Sequence, residues 1–147
     1  MACWIFQANP NEYRVLDALA AGVIRSWHVK QHATAIRSGD TVFIWKAGQD
    51  AGVYALAAVT GEPRLMRPTD EEIALYAPEF RELLRQEDQL RAPLRVDLVL
   101  SAPISRTELR GHPVMRELSI LRMPRGTNFA VTDVQGEALR EIARTRA

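Results

Sequence analysis

Hydrophobic and polar positions along the first sixty residues switch between a strand-like and a helix-like period. Residues 3–8 are rich in aromatic and apolar side chains and are followed by an Asn-Pro pair, which predicts a strand. Residues 15–21 carry apolar side chains at helical spacing and stop before a glycine, a common helix end. Residues 41–46 and 53–59 are rich in β-branched and aromatic residues and flank a turn that contains Gly and Asp, which predicts a hairpin.

From residue 69 onwards the chain combines three helix starts with one strand. At Thr69, Ser105 and Thr132, the Ser or Thr is followed three residues later by Glu or Gln, the pattern of a capping box. Residues 94–100 alternate between apolar and polar, which predicts a strand with one wet face. The last of the three boxes opens a predicted helix over residues 133–144.

The order of these elements indicates an α+β fold. Strands and short helices follow one another without the regular βαβ rhythm of a doubly wound sheet. We expect a small mixed or antiparallel β-barrel with short helices around it. The 147 residues have the length of one domain, so we expect a single domain over residues 1–147.

Composition removes several classes of protein. The 19 basic and 18 acidic residues leave a formal net charge of +1, which excludes a polybasic tail and an acidic disordered chain. No apolar run is long enough to span a membrane and the N-terminus lacks signal-peptide features, so we expect a cytoplasmic protein. Cys3 is the only cysteine, and His28 and His32 have no third ligand nearby. We therefore expect neither a metal site nor a cofactor.

The near-zero net charge hides an uneven distribution. Residues 69–90 hold seven acids and two Arg, whereas residues 14–46 and 104–125 each hold five basic and two acidic side chains. Of the 19 basic residues, 17 are Arg, whose planar guanidinium can grip a phosphate with two hydrogen bonds. If these segments fall on different faces, they form a polarised surface suited to a phosphate backbone; otherwise they are solvated helix faces.

Common catalytic and nucleotide-binding loops are missing from the sequence. There is no GxGxxG, no GxxxxGK[ST] and no GxSxG motif. Nor does the sequence contain a recognisable set of nucleophile, base and orienting group. We therefore expect a protein that is not an enzyme.

Four motifs are unusual in combination. They are WIFQANP at residues 4–10, SWHV at 26–29, GDTVFIWK at 39–46 with its AGVY return at 51–54, and RGTNF at 125–129. In these motifs the chain resembles the EVE domain family of the PUA-like superfamily, which also includes YTH and ASCH domains. The resemblance runs from residue 3 to about residue 143, with the motifs in the family's order and approximate spacing.

This resemblance implies a PUA-like β-barrel with a pocket that receives one modified base flipped out of a nucleic acid. EVE-like domains are associated with modified cytosines in DNA, so the implied ligand is DNA of the 5-methylcytosine type. Trp27 matches the tryptophan that forms one wall of the aromatic cage in YTH-type pockets. Residues 6–9 match the end of the first strand, which lines the pocket, and residues 126–129 match the loop that closes it.

The residue types at these positions suit the chemistry of such a pocket. An aromatic ring returns part of the stacking that a flipped base loses, about 1–3 kcal/mol per base. Amide side chains both donate and accept, as the polar edge of cytosine requires. An apolar slot discriminates a methyl group by about 1–3 kcal/mol. The predicted pocket residues are Trp27 and Trp45 for stacking, Gln7, Asn9, Thr127 and Asn128 for polar contacts, and Phe6, Val29 and Phe129 for the slot.

Structural roles remain open for the same residues. Trp27 and Trp45 could pack against the barrel, and Asn9 and Asn128 could instead fix turns. The predicted phosphate contacts come from six cations, each of which would steepen the salt dependence of binding by roughly one unit. They are Arg25, Lys30, Arg37, Lys46, Arg122 and Arg125.

Three alternative functions compete with a reader of modified DNA. They are a reader of modified RNA, a binder of nucleosides or small molecules, and an ASCH-like enzyme on modified nucleosides. For the main reading, a lone EVE-like domain implies binding without catalysis, so we expect a separate effector protein to supply the downstream action in trans.

Overall fold

The computed structural model describes all residues from 1 to 147 and contains seven strands and six α-helices. The strands are β1 (Cys3–Ala8), β2 (Ser26–His28), β3 (Thr41–Lys46), β4 (Gly52–Val59), β5 (Arg64–Met66), β6 (Gln89–Ser105) and β7 (Asn128–Val131). The helices are α1 (Val15–Ala21), α2 (Asp70–Ile73), α3 (Pro78–Gln86), α4 (Arg106–Arg110), α5 (Ser119–Arg122) and α6 (Asp133–Arg144), with a 3₁₀ turn at Met115–Glu117. None of these helices combines the length and apolar character needed to cross a bilayer.

All seven strands belong to one mixed sheet. Its order is β2-β6-β4-β3-β1-β7, and β5 adds to β6 outside this path. The β1–β3 pair is parallel and every other pair is antiparallel. The sheet curls into a half-barrel with the six helices around it, which confirms the predicted α+β class.

Strand β6 is far longer than the predicted strand over residues 94–100, because it pairs with three strands along its length. Its first part, up to Pro93, pairs with β2 and β5, and its second part, from Leu94, pairs with β4. The β4–β6 register shifts between Val53 and Ala55 and again between Leu56 and Ala57. Such irregularities increase local twist, so they help to curl the sheet.

The core lies on both faces of the sheet. Along β3, Val42 and Ile44 point to one face, where α1 packs, while Phe43 and Trp45 point to the other, where α4 and α6 pack. All four are at most 2% exposed. The sequence predicts this alternation, and helices on both sides explain why neither face of β3 is wet.

The three predicted capping boxes form to different extents. Thr132 opens α6 with a complete box, in which Gln135 also reaches back to the Thr132 N–H at 3.0 Å. At α2 and α4 the Thr and Ser hydroxyls accept from the N–H three residues on, but the carboxylates do not return. The Glu72 carboxylate accepts instead from the Arg25 N–H, and that of Glu108 pairs with Arg146.

Two amide side chains bridge the gap between the two outer strands, β2 and β7. The Asn128 Oδ1 accepts from the N–H groups of Lys30 (2.8 Å) and Gln31 (3.2 Å), and its Nδ2 donates to the His28 carbonyl at 3.1 Å. In return, the Gln31 Oε1 accepts from the N–H groups of Thr127 (2.8 Å) and Asn128 (2.9 Å). We call this reciprocal pair, Gln31 and Asn128, the amide clasp.

Candidate functional site

A cleft of about 670 Å³ lies at the carboxyl end of β1. Gln7 and Asn9 line it from β1 and the turn that follows, and Trp45 lines it from the end of β3. The lining also includes Arg106 and Arg110 of α4 and residues 124–127 of the loop before β7.

A smaller recess of about 80 Å³ adjoins this cleft and approaches Trp27. We call it the inner chamber. The cleft and the chamber share five lining residues, so they form one continuous site. The shared residues are Gln7, Asn9, Glu12, Lys30 and Thr127.

Four aromatic rings are arranged in series behind the inner chamber. Trp27 lies between Phe6 and Tyr13, with ring centroids 6.4 and 6.1 Å away, and Tyr13 stacks on Tyr76 at 4.3 Å. Trp27 is only 4% exposed, and it lines the chamber beside Tyr13 and Tyr76. The sequence predicts a stacking residue at Trp27 but gives no signal for the two tyrosines, which come together only through the Tyr13–Tyr76 β-bridge.

The end of β1 holds the loop before β7 in place. The Gln7 side-chain amide donates to the carbonyls of Pro124 (3.0 Å) and Gly126 (2.8 Å), and the Gln7 backbone N–H donates to Thr127 O at 2.8 Å. Gly126 has a φ of 138°, a conformation that side-chain-bearing residues rarely adopt. The RGTNF motif is therefore a loop whose shape depends on both Gly126 and Gln7.

The remaining predicted pocket residues differ in their placement, and two of them, Asn128 and Phe129, line a separate cavity of about 640 Å³. Asn9 is exposed in the lining, and its Oδ1 accepts from the Asn11 N–H at 3.0 Å, a turn contact. Asn128 is 2% exposed, and its amide is committed to the clasp. Phe6, Val29 and Phe129 are buried in the two core clusters and line neither the cleft nor the chamber. Base contact by these five residues stays a prediction.

The cations that line the cleft have no acidic partner. Lys30, Arg106, Arg110 and Arg125 all line it, all are exposed, and none forms an ion pair. Glu12 is the single acid in the lining. The cleft is thus a basic surface whose positive charge is left for a ligand.

Two of these cations, Arg106 and Arg110, are absent from the residues predicted from sequence to contact phosphate. They are four apart on α4, so they lie on one face of that helix. The charge excess over residues 104–125 points to this region, but nothing local shows that α4 packs beside the end of β1.

Four of the six predicted phosphate-binding cations lie outside the cleft lining. Arg25 donates to the carbonyls of Gly22 and Ile24, and Lys46 donates to Gln49 O. Two more pair with acids, Arg37 with Glu62 at 3.6 Å and Arg122 with Glu117 at 3.8 Å. Phosphate contact by these four stays a prediction.

A buried ion pair lies behind the aromatic rings. The Arg91 guanidinium is 3.8 Å from the Glu72 carboxylate and donates to the Ser26 hydroxyl at 2.8 Å. Burial raises the pKa of Glu72, and Arg91 opposes that shift. Burial, with Lys30 and Arg91 nearby, lowers the pKa of His28 to about 4, so His28 is neutral at pH 7. No group of three or more His, Cys, Asp or Glu side chains is placed to hold a metal ion.

A curled mixed sheet with helices on both faces and a cleft at the end of its first strand defines a PUA-like domain. The chain belongs to the EVE domain family, whose model matches residues 2–142. A comparison with curated proteins finds no match.

Solved structures share this fold at low sequence identity. Human THYN1, in complex with DNA that contains 5-methylcytosine, matches with a TM-score of 0.69 and 11% identity over 100% of both chains. A Rhodopseudomonas palustris protein matches at 0.70 and 14%, over 99% of this chain and 94% of its own. A mutant ASCH protein of Zymomonas mobilis matches at 0.67 and 10%, over 97% and 99%. At these identities the likeness establishes the fold.

Proposed function

We propose that this EVE domain binds a nucleic acid and holds one flipped base in the inner chamber. The observation that carries the proposal is the continuous site itself, in which unpaired cations line an outer cleft and aromatic rings back an inner chamber. Each half supplies one of the two interactions that a flipped nucleotide needs, namely phosphate neutralisation and base stacking.

The outer cleft suits the sugar–phosphate backbone. Lys30, Arg106, Arg110 and Arg125 all line it, so a strand that crosses the cleft meets several cations. Each phosphate contact releases counterions and steepens the salt dependence of binding. Because the formal net charge is only +1, we propose that affinity depends on these local cations rather than on bulk charge.

The inner chamber suits the base. Stacking beside Trp27, Tyr13 and Tyr76 offsets part of the cost of leaving the duplex, which is a few kcal/mol. At about 80 Å³ the chamber is small for a base, so we propose that insertion widens it by moving exposed side chains such as Lys30. The buried rings behind it stay in place.

The finer form of the proposal is that the base is a modified cytosine in DNA. Its support is the similarity in fold to human THYN1, which is described in complex with 5-methylcytosine DNA. In this form the protein binds without catalysis, and a separate effector protein supplies the downstream action in trans. The side-chain amides of Gln7 and Asn9 already hold backbone groups, which suits a fixed recognition surface.

A binding panel tests this proposal. Short duplexes with a central cytosine, 5-methylcytosine or 5-hydroxymethylcytosine are compared with methylated RNA, each at 50 and 200 mM salt, using fluorescence anisotropy. We expect tightest binding to a duplex with a modified cytosine and weaker binding at higher salt. If no oligonucleotide binds at low salt, the proposal is wrong. If methylated RNA binds more tightly than every DNA duplex, only the finer form of the proposal, with DNA as the ligand, is wrong. Intact mass of the oligonucleotide after incubation checks for turnover.

Binding of a free nucleoside is the second candidate. The cleft volume of about 670 Å³ falls within the range of small-molecule sites, roughly 300–1,000 Å³. Competition separates the two functions. If free 5-methylcytidine displaces the labelled duplex at equal concentration, the backbone contributes little and the nucleoside is the better ligand.

A further inference from the structure

Glu12 occupies a singular position in the proposed base site. It is the one acidic residue in the lining of the cleft and of the inner chamber, among cations and neutral side chains. Its backbone is held on both sides, because its N–H donates to Asn9 O at 2.9 Å and its carbonyl accepts from Ala77 N at 2.8 Å. Glu12 is therefore anchored by its backbone where the cleft and the inner chamber share their lining.

The Glu12 carboxylate is not used by the protein itself. It forms none of the ion pairs that engage Asp17, Glu62 and Glu108, and it accepts no side-chain hydrogen bond. A carboxylate accepts hydrogen bonds and cannot donate them. The chamber thus contains a strong acceptor whose lone pairs are all available to a ligand.

The other polar groups of the chamber fall into two sets. Both amide hydrogens of Gln7 are used by loop carbonyls, so its free atom is the acceptor Oε1. Asn9 is the reverse, since its Oδ1 holds the Asn11 N–H and its Nδ2 is free to donate. Lys30 and the Thr127 hydroxyl add donors. The site therefore presents acceptors at Glu12 and Gln7 beside donors at Asn9, Lys30 and Thr127.

This arrangement matches a base with an exocyclic amine. Cytosine presents an amine at position 4 beside acceptors at N3 and O2, whereas thymine presents a carbonyl at position 4 and an N–H at N3. An amine can donate to the Glu12 carboxylate, but a carbonyl in that place would face it as a second acceptor and leave both unpaired. Glutamate accepting from the cytosine amine is a known pairing in duplex recognition.

We infer that Glu12 selects the inserted base by accepting a hydrogen bond from its exocyclic amine. The inference rests on the proposed function and adds a base class to it, bases of the cytosine or adenine type in preference to those of the uracil or thymine type. Contacts with a methyl group then distinguish methylated from unmethylated bases only within that class.

The test compares 5-methylcytosine with thymine, each placed centrally in the same duplex opposite an abasic site. Both bases carry the 5-methyl group and neither has a pairing partner, so they differ only in the polar edge that Glu12 would read. We expect the wild-type protein to bind the 5-methylcytosine duplex about tenfold more tightly. Glu12→Gln should reduce that ratio to about one, because an amide can present either polarity.

Glu137→Gln is the matched control, because Glu137 is an exposed acid on α6 that lines neither the cleft nor the chamber. It removes the same charge and should keep the ratio, and circular dichroism should show that both variants are folded. An unchanged ratio in Glu12→Gln, or an equal loss of affinity for both duplexes, overturns the inference and leaves the proposed function standing. If wild-type protein binds neither duplex at low salt, both are overturned.

Discussion

Asn128 shows how one residue type can serve two purposes that the sequence does not separate. Its place in the GTNF motif predicts contact with a base, and an equally available role is to hold the loop. The structure commits all of its side-chain hydrogen bonds to the backbone of residues 28–31, on a segment about a hundred positions away. A local motif cannot reveal such a partner, because only the fold brings the two segments together.

Replacing Asn128 by Ala should lower the free energy of unfolding by about 2–3 kcal/mol. The substitution leaves backbone groups of His28, Lys30 and Gln31 without their partner, and each buried unpaired group costs roughly 1–3 kcal/mol. Urea denaturation measures the change. A cycle with Gln31→Ala should show coupling above about 0.5 kcal/mol, since the two residues form one clasp. Strict additivity would contradict that interdependence.

His28 should make the protein less stable in mild acid. Its pKa falls from 6.5 to about 4 on folding, mainly through burial, so between these values the unfolded state binds the proton and the folded state does not. Stability from this group is therefore complete above pH 6.5 and is lost as the pH falls towards 4.

Urea unfolding at pH 7.0 and pH 5.0 measures this effect. Wild-type protein should lose more stability between the two pH values than His28→Gln, which removes the titrating group but keeps a polar side chain. Because every carboxylate is common to both proteins, the difference isolates His28. An NMR titration that gives His28 an ordinary pKa would contradict the expected loss.

Among the elements, α6 shows what a single glycine permits. The helix packs against β1 at Gly136, where a Cβ would lie 2.6 Å from the sulfur of Cys3 and 3.0 Å from its Cβ. Cys3 is 4% exposed and cannot turn away into solvent. Close approach of helix and strand therefore requires glycine at this position.

Gly136→Ala should destabilise the protein by about 1–3 kcal/mol, the usual cost of overpacking a core. Helix propensity alone predicts the opposite, because Ala is favoured over Gly by about 1 kcal/mol within a helix. Thermal unfolding decides the sign. The double variant Cys3→Ala/Gly136→Ala should recover part of the loss by removing the sulfur. A stabilised single variant would mean that α6 shifts to accommodate the methyl group.

The Arg91–Glu72 pair joins α2 to the β2–β6 pairing that carries Trp27. Arg91→Met should cost about 3–5 kcal/mol, because it leaves the Glu72 carboxylate buried without its cation. The deficit should shrink as the pH falls, since a protonated Glu72 needs no counter-charge. Urea unfolding at pH 7.0 and 5.0 measures both effects, and Arg91→Met/Glu72→Gln should be more stable than Arg91→Met. A pH-independent deficit would point to lost packing alone.

The hydrophobic period and the helix caps in the sequence predict the positions of most of the elements named at the start. The strand at residues 3–8, the helices at 15–21 and 133–144 and the hairpin all lie where their patterns place them. The full extent of β6 has no such signal, because its pairing partners change partway along. The capping boxes at Thr69 and Ser105 are incomplete because their glutamates bind tertiary partners instead, and a four-residue motif does not show those partners.

For the whole molecule, the pairing of charges separates two sets of arginines that look alike in sequence. Arg106 and Arg110 are exposed, line the cleft and have no acidic partner, whereas Arg37 and Arg122 are exposed but paired with glutamates outside the cleft. The sequence predicts a basic segment over residues 104–125. It cannot show which of its cations face the cleft, because that depends on how α4 packs against the barrel.

Arg106→Ala/Arg110→Ala should reduce the slope of log affinity against log salt for duplex DNA by up to about two units. The matched control is Arg37→Ala/Arg122→Ala, which removes the same two charges and should change the slope by less. Fluorescence anisotropy at several salt concentrations measures both slopes. If the control pair changes the slope more, the nucleic-acid backbone contacts Arg37 and Arg122, as predicted from sequence, and not the arginines of the cleft.

The pairing of β1 with β7 also affects when the sheet can be completed during synthesis on the ribosome. Cys3 pairs with Val131 and Phe6 with Asn128, so one of the first strands to leave the ribosome needs the last one for its outer edge. Its other neighbour, β3, arrives much earlier. The nascent chain therefore carries a half-paired, largely apolar strand through most of its synthesis, and the barrel closes only when the segment after α5 emerges. Such distant pairings fold slowly, which makes this strand the point at which a stalled or truncated chain is most exposed to aggregation.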